Sequence, residues 1–189
     1  MNLIVGWISL WASRKSGDRP NIRYFLWVLA AFNLLSGAGY FMFSGIFAFG
    51  DWYEVIRGLP HQLVLRVGMT LFGAGFYLLV VRQLAVAVRP FVQDRPTYNV
   101  VGRLPYIAAG VFSCVAGVFD PLGLKLLFFS TIPAAFGGSS GLLWADGLMP
   151  HAAPERGLVV QKEVGWWSAA VVIGICYVVL LGRGIQFAH

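Results

Sequence analysis

From Phe25 to Gly50 the chain runs for 26 residues without a charged side chain, and Asp51-Trp52 closes the run. A helix rises about 1.5 Å per residue, so this segment outspans a hydrocarbon core of roughly 30 Å. The run reads as a membrane span. Its strongly polar interior group, Asn33, falls in a stripe with Ala30, Gly37, Tyr40 and Ser44 at three-and-four spacing. A helical face of small and polar residues packs on protein rather than on lipid.

Composition agrees with a membrane chain. The sequence is 58% apolar and 12% charged, with a mean hydropathy of +0.73, whereas soluble domains carry roughly 25% charged residues. A water-soluble core is excluded. The formal charge of +6 does not imply a nucleic-acid partner, because the bases are dispersed between apolar runs instead of clustering on a solvated face. Cys114 and Cys176 lie inside apolar stretches, where a thiol behaves as a small hydrophobe.

The pattern predicts an all-α polytopic transmembrane helix bundle, a single integral membrane domain over residues 1–189. Five spans are expected, at about residues 24–49, 63–81, 100–119, 122–143 and 164–181, each near the length a bilayer demands. A sixth, short hydrophobic segment covers residues 1–11, ahead of Ser13-Arg14-Lys15. It has neither the basic n-region nor the cleavage pattern of a signal peptide, and reads as a half-span, an interfacial helix or the tail of a longer helix. Asp120-Pro121-Leu122-Gly123 reads as a tight turn between antiparallel helices.

Charge placement predicts orientation. The segments 12–23 and 82–103 each carry four bases, whereas 51–62 carries only Arg57 against Asp51 and Glu54. By the positive-inside rule the two basic segments and the 144–163 loop face the cytoplasm of a bacterial inner membrane, and 51–62 and Asp120 face outward. Trp11, Trp27, Trp52, Trp144, Trp166 and Trp167 fall close to the span ends, as interfacial aromatics do.

Three constellations are candidates for function. Gly137-Gly138-Ser139-Ser140-Gly141 resembles an anion nest but lacks the lysine of a P-loop; the better reading is a broken membrane helix, shielded by protein, whose residues after Pro133 turn inward. On the outer face Asp51, Glu54, Arg57, His61, Arg66, Asp120 and Lys125 are expected to form a self-neutralising polar network, with Arg66 and Lys125 snorkelling from helix ends, rather than a metal or proton site. Ala109, Ser113 and Gly117, and likewise Ala170 and Gly174, recur every four residues and are expected to let helices approach closely. His61, His151 and His189 fall outside the predicted spans, so paired axial ligands for a membrane haem are missing. No HExxH, Gly-x-Ser-x-Gly or nucleotide fingerprint occurs.

The stretch from Phe25 through Asn33, followed by Gly37-Ala-Gly-Tyr40, Phe43-Ser-Gly45 and Gly50-Asp-Trp52, and later Ala135-Phe-Gly-Gly-Ser-Ser-Gly141, resembles bacterial multi-pass membrane proteins of the site-2-protease-like metallopeptidase type. The resemblance covers about residues 24–143. It implies a zinc site completed by an Asn-containing segment and a nearby Asp, positions that Asn33 and Asp51 match here. The HExxH helix that would supply the rest is not in this sequence, so the resemblance implies a truncated, non-proteolytic relative or a start upstream of Met1. The resulting expectation is a non-catalytic accessory or structural subunit of a larger membrane complex, photosynthetic or respiratory. Its partners would be membrane lipid and other subunits, with no cofactor predicted beyond bound lipid or pigment. A degenerate intramembrane protease and a small transporter component are the alternatives.

Overall fold

The computed structural model describes residues 1–48, 50–119, 127–150 and 157–181. Among them there is no strand; the chain is a helical bundle, as the apolar runs require. The helices are α1 (Asn2–Lys15), α2 (Pro20–Phe47), α3 (Asp51–Ile56), α4 (Gln62–Val88), α5 (Arg95–Tyr98), α6 (Leu104–Val118) and α7 (Val164–Cys176). A 3₁₀ turn, Arg89–Phe91, prolongs α4, and a wide π turn, Asn99–Arg103, joins α5 to α6. The continuous helical stretches Pro20–Phe47, Gln62–Phe91 and Arg95–Val118 are each long and apolar enough to cross a membrane. They contain most of the expected spans at 24–49, 63–81 and 100–119.

Local chemistry sets the boundaries. Pro20 opens α2, where its fixed φ suits the first turn and its missing N–H costs nothing. The helix closes on Ala48 in the left-handed region, and Gly50 follows at φ +90°, a conformation that favours glycine. A Cβ on Gly50 would also come within 2.5 Å of the Tyr40 hydroxyl. That hydroxyl accepts the Asp51 amide at 3.0 Å, so Tyr40 fixes the corner at which α3 departs. The segment expected to end at Trp11 continues as helix to Lys15, because Arg14 and Lys15 suit the negative end of a helix dipole.

α2 is the central element, packed on α1 along one side and on α4 along the other. Trp27, Ala30, Ala31, Leu34, Leu35 and Ala38 of α2 and Val80, Val81, Leu84, Ala85 and Val88 of α4 form the buried core. Between helices in lipid the hydrophobic effect supplies little, and close packing at small residues carries the association. Gly6 on α1 faces Leu34, and Gly37 on α2 faces Leu3. On the other side Gly45 lies against Thr70, and Gly73 lies against the backbone of Met42. Trp27 buries its indole in this core and donates to the Leu84 carbonyl at 3.0 Å.

The two basic segments share one end of the bundle. The Ser13 hydroxyl donates to the Arg23 carbonyl at 2.8 Å, Arg14 donates to the Gln83 side chain at 2.7 Å, and the Tyr24 ring meets Phe91 edge-on at 5.7 Å. Of the expected span at 122–143, residues 122–126 lie outside the described residues, as does the turn at Asp120-Pro121. The remainder comprises π segments Leu127–Thr131 and Pro133–Gly137, then the 3₁₀ turn Ser140–Leu143. α7 and a π turn, Tyr177–Leu181, fall within the expected 164–181 segment, but among the described residues three helices, not five, are long and apolar enough to cross a membrane.

The α2 and α4 contact makes a direct prediction. A methyl group at Gly73 would lie 2.5 Å from the Met42 amide nitrogen, whereas one at Gly68 meets nothing within 4 Å. Gly73→Ala should therefore destabilise the folded protein by about 1–3 kcal/mol, while Gly68→Ala should leave the thermal midpoint unchanged or raise it. Thermal unfolding of both variants in one detergent compares them.

Candidate functional site

The densest group of polar side chains inside the bundle surrounds the irregular π and 3₁₀ backbone from Pro133 to Leu143. Tyr77, near the middle of α4, donates its hydroxyl hydrogen to the Gly138 carbonyl at 2.9 Å and accepts the Gly141 amide at 2.7 Å. The Ser140 hydroxyl lies 3.3 Å from the same oxygen. Tyr98, fully buried at the end of α5, donates to the Leu142 carbonyl at 2.6 Å. Tyr106 on α6 donates to the Phe136 carbonyl at 3.3 Å. Its ring meets the Phe136 ring edge-on. Ser139 closes the turn internally by donating to the Ala135 carbonyl at 2.7 Å. Three phenols from three helices thus satisfy the main chain of one irregular segment.

The physical need is plain. Where a helix breaks at membrane depth, its amides and carbonyls have no water, and each unsatisfied group costs several kcal/mol. Tyrosine suits the task because its ring packs in an apolar layer while its hydroxyl reaches a main-chain partner. The fit depends on small residues. A Cβ on Gly110 would lie 2.1 Å from the Phe136 ring, and one on Gly141 would lie 2.6 Å from Val81. The same device recurs at α6: Pro105 has no N–H to give to the Val101 carbonyl four residues earlier, and Tyr24 donates to that carbonyl at 2.9 Å.

A charged latch holds the far side of the segment. Arg103 donates to the Leu143 carbonyl at 3.0 Å, to the Asn99 side chain at 2.7 Å and to the Asp146 carboxylate at 2.8 Å. Its guanidinium also lies 5.4 Å from the centre of the Tyr98 ring, a cation–π contact. Asp146 is half-buried and is approached by Arg95 as well, at 4.0 Å. Nearby, Asp94 caps α5 by accepting from the hydroxyl and the amide of Thr97. The Thr97 hydroxyl, with the amide behind it, holds the Asp94 carboxyl below the usual carboxylate range.

The residues singled out in the sequence are distributed as follows. Ala30 and Ser44 are fully buried in α2, and Gly37 and Tyr40 make the close contacts already described. Asn33 donates to the Leu29 carbonyl of its own helix at 2.9 Å. It stands fourteen residues before the end of α2, roughly 21 Å along the axis, so the fold does not bring it to Asp51. On α6, Ala109 and Ser113 are partly buried, and Gly117 approaches Thr131 and Leu127. Gly174 of α7 approaches the Phe112 ring, whereas Ala170 is exposed.

Of the outer-face group, the described residues show a single ion pair, between Glu54 and Arg57 at 2.9 Å and exposed, which contributes little. Arg66 donates to the Gly45 and Ile46 carbonyls at 3.0 and 2.8 Å, satisfying the open end of α2. His61 is exposed in the left-handed region just before α4. Asp120 and Lys125 lie outside the described residues. Among the described residues no three His, Cys, Asp or Glu side chains converge as a metal site would require.

No family model, curated protein or solved structure matches this chain. The site residues that sequence reasoning passed over are Tyr77, Tyr98, Tyr106, Arg103 and Asp146. A signal for them existed: tyrosines inside apolar runs carry a polar atom that needs a partner, and Pro105 and Gly137-Gly138 announce main chain in need of one.

Removing the Tyr98 hydroxyl isolates the tie. Tyr98→Phe keeps the ring and leaves the Leu142 carbonyl without this donor, and should lower stability by about 1–3 kcal/mol. Tyr53→Phe, on the exposed helix α3, serves as the control and should shift the chemical-denaturation midpoint little.

Proposed function

We propose that this chain is a non-catalytic, multi-pass membrane protein serving as a structural or accessory subunit of a larger bacterial membrane complex. The observation that carries this reading is where the interior polar groups are spent. Tyr24, Trp27, Tyr77, Tyr98 and Tyr106 each commit their polar atom to a main-chain carbonyl, so the polar centre of the bundle is a framework that holds backbone in place. Beyond this core α6 presents Ile107, Val111 and Val115 outward, and α7 presents Val171, Val172 and Ile175, apolar faces suited to lipid or to neighbouring helices.

In this reading five spans cross an inner membrane, the three long helices joined by the 122–143 and 164–181 segments. The end carrying segments 12–23 and 82–103 faces the cytoplasm, in keeping with the positive-inside rule. An energy-transducing complex, photosynthetic or respiratory, is the proposed host by analogy with assemblies that recruit small helical subunits.

Extraction of the native membrane in mild detergent, cross-linking, and mass spectrometry of the intact species test the proposal. The chain should migrate with other membrane subunits in fixed stoichiometry. Recovery as a cofactor-free monomer that cross-links to nothing would overturn it.

A further inference from the structure

In the last turn of α2 one hydroxyl is buried without a partner. Ser44 is 0% exposed, and its Oγ has no hydrogen-bond partner among the described residues. A serine or threonine inside a helix can turn its hydroxyl back to the carbonyl four residues earlier. This chain does so elsewhere: Ser16 donates to the Ala12 carbonyl at 2.8 Å, Ser139 to Ala135 at 2.7 Å and Thr70 to Arg66 at 2.9 Å. Ser44 does not make that bond. Its Oγ lies instead 3.3 Å from the point where a Cβ on Gly50 would stand, so the hydroxyl faces the corner between α2 and α3.

A second hydroxyl meets the same point. The Tyr40 oxygen lies 2.5 Å from that Cβ position and accepts the Asp51 amide at 3.0 Å. A phenol that accepts one hydrogen still has its own to donate. The two oxygens do not bond each other, since Ser44 has no partner, yet both flank one position and stand near enough for a single small molecule to touch both. Gly50, at φ +90° and without a side chain, leaves that position open. A buried polar atom that protein leaves unpaired is ordinarily met by bound water, which makes about three hydrogen bonds. An ion fits this corner poorly. The groups that flank it are neutral hydroxyls, and an unpaired buried charge is far costlier than a neutral molecule that both donates and accepts.

We propose that the corner between α2 and α3 is a buried-water site, in which one water molecule beside Gly50 bridges the hydroxyls of Ser44 and Tyr40. The water completes the hydrogen bonding of Ser44 and steadies the Tyr40 oxygen, which in turn holds the amide that starts α3. Gly50 is then required for room as well as for its φ. The site is independent of the accessory-subunit reading, since it requires only the geometry of the corner.

The test is a crystal structure of the full chain at a resolution that shows ordered water, joined to thermal unfolding of variants. The expected result is density for one water within hydrogen-bond distance of both Ser44 Oγ and the Tyr40 oxygen. Absence of that density, with Ser44 turned onto the Tyr40 carbonyl or left unpaired, would overturn the proposal. So would an anomalous signal at the position after chloride is exchanged for bromide. Ser44→Ala should lower the thermal midpoint by about 2–4 °C, the shift that one satisfied hydrogen bond gives a chain of this size. A rise would mean that the hydroxyl is unsatisfied in the folded protein, and the site would be lost with it. Tyr40→Phe should also lower the midpoint, and the double variant should lose less than the two single losses combined, because either change releases the same water. Additive losses would contradict the bridge. If a variant fails to fold, the density in the parent structure decides.

Discussion

The structure depends on one constraint: main chain that leaves the helix inside an apolar layer must find its hydrogen bonds in protein. Between Pro133 and Leu143 the chain leaves regular α-geometry for π and 3₁₀ turns level with the middle of α4, and three tyrosines from three different helices bond main-chain groups of this stretch. This ties α4, α5 and α6 to a common segment. Because each phenol also packs its ring, one residue type serves both the apolar layer and the polar seam. Arg103 closes the seam by joining Leu143, Asn99 and Asp146.

The other half of the bundle is held by a different principle. α2 meets its neighbours at glycines, with Gly6 and Gly37 on the side of α1 and Gly45 and Gly73 on the side of α4. Close approach replaces the hydrophobic force that lipid cannot supply. The result is a three-helix sheaf, α1, α2 and α4, whose basic end gathers charges from segments distant in sequence.

Much of this was legible in the apolar runs. The helical class and the three long helices follow from charge-free stretches, and the corner at Gly50-Asp51 follows from a glycine beside a charge. The seam was not legible as a site. Gly137-Gly138 announced broken helix, but nothing in the order of residues says that Tyr77, Tyr98 and Tyr106 converge on it from positions as much as 64 residues away. Of the stripe through Asn33, Ala30 and Ser44 are fully buried and Gly37 meets Leu3, while Asn33 bonds within its own helix, and Ala31, Leu34 and Leu35 beside it add to the core. Small residues at regular spacing locate a contact face without naming the neighbour, and the charges at 51–66 likewise gave a group but not its pairing, because Arg66 found helix carbonyls rather than carboxylates.

Hydrogen exchange of the protein in lipid nanodiscs, followed by mass spectrometry, tests the central claim most directly. If the Tyr77 phenol holds the broken segment, Tyr77→Phe should increase exchange across residues 138–143 while α2 and the rest of α4 remain protected. Unchanged protection of that segment in Tyr77→Phe would contradict the account, because the Gly141 amide would then owe nothing to the bond this structure gives it.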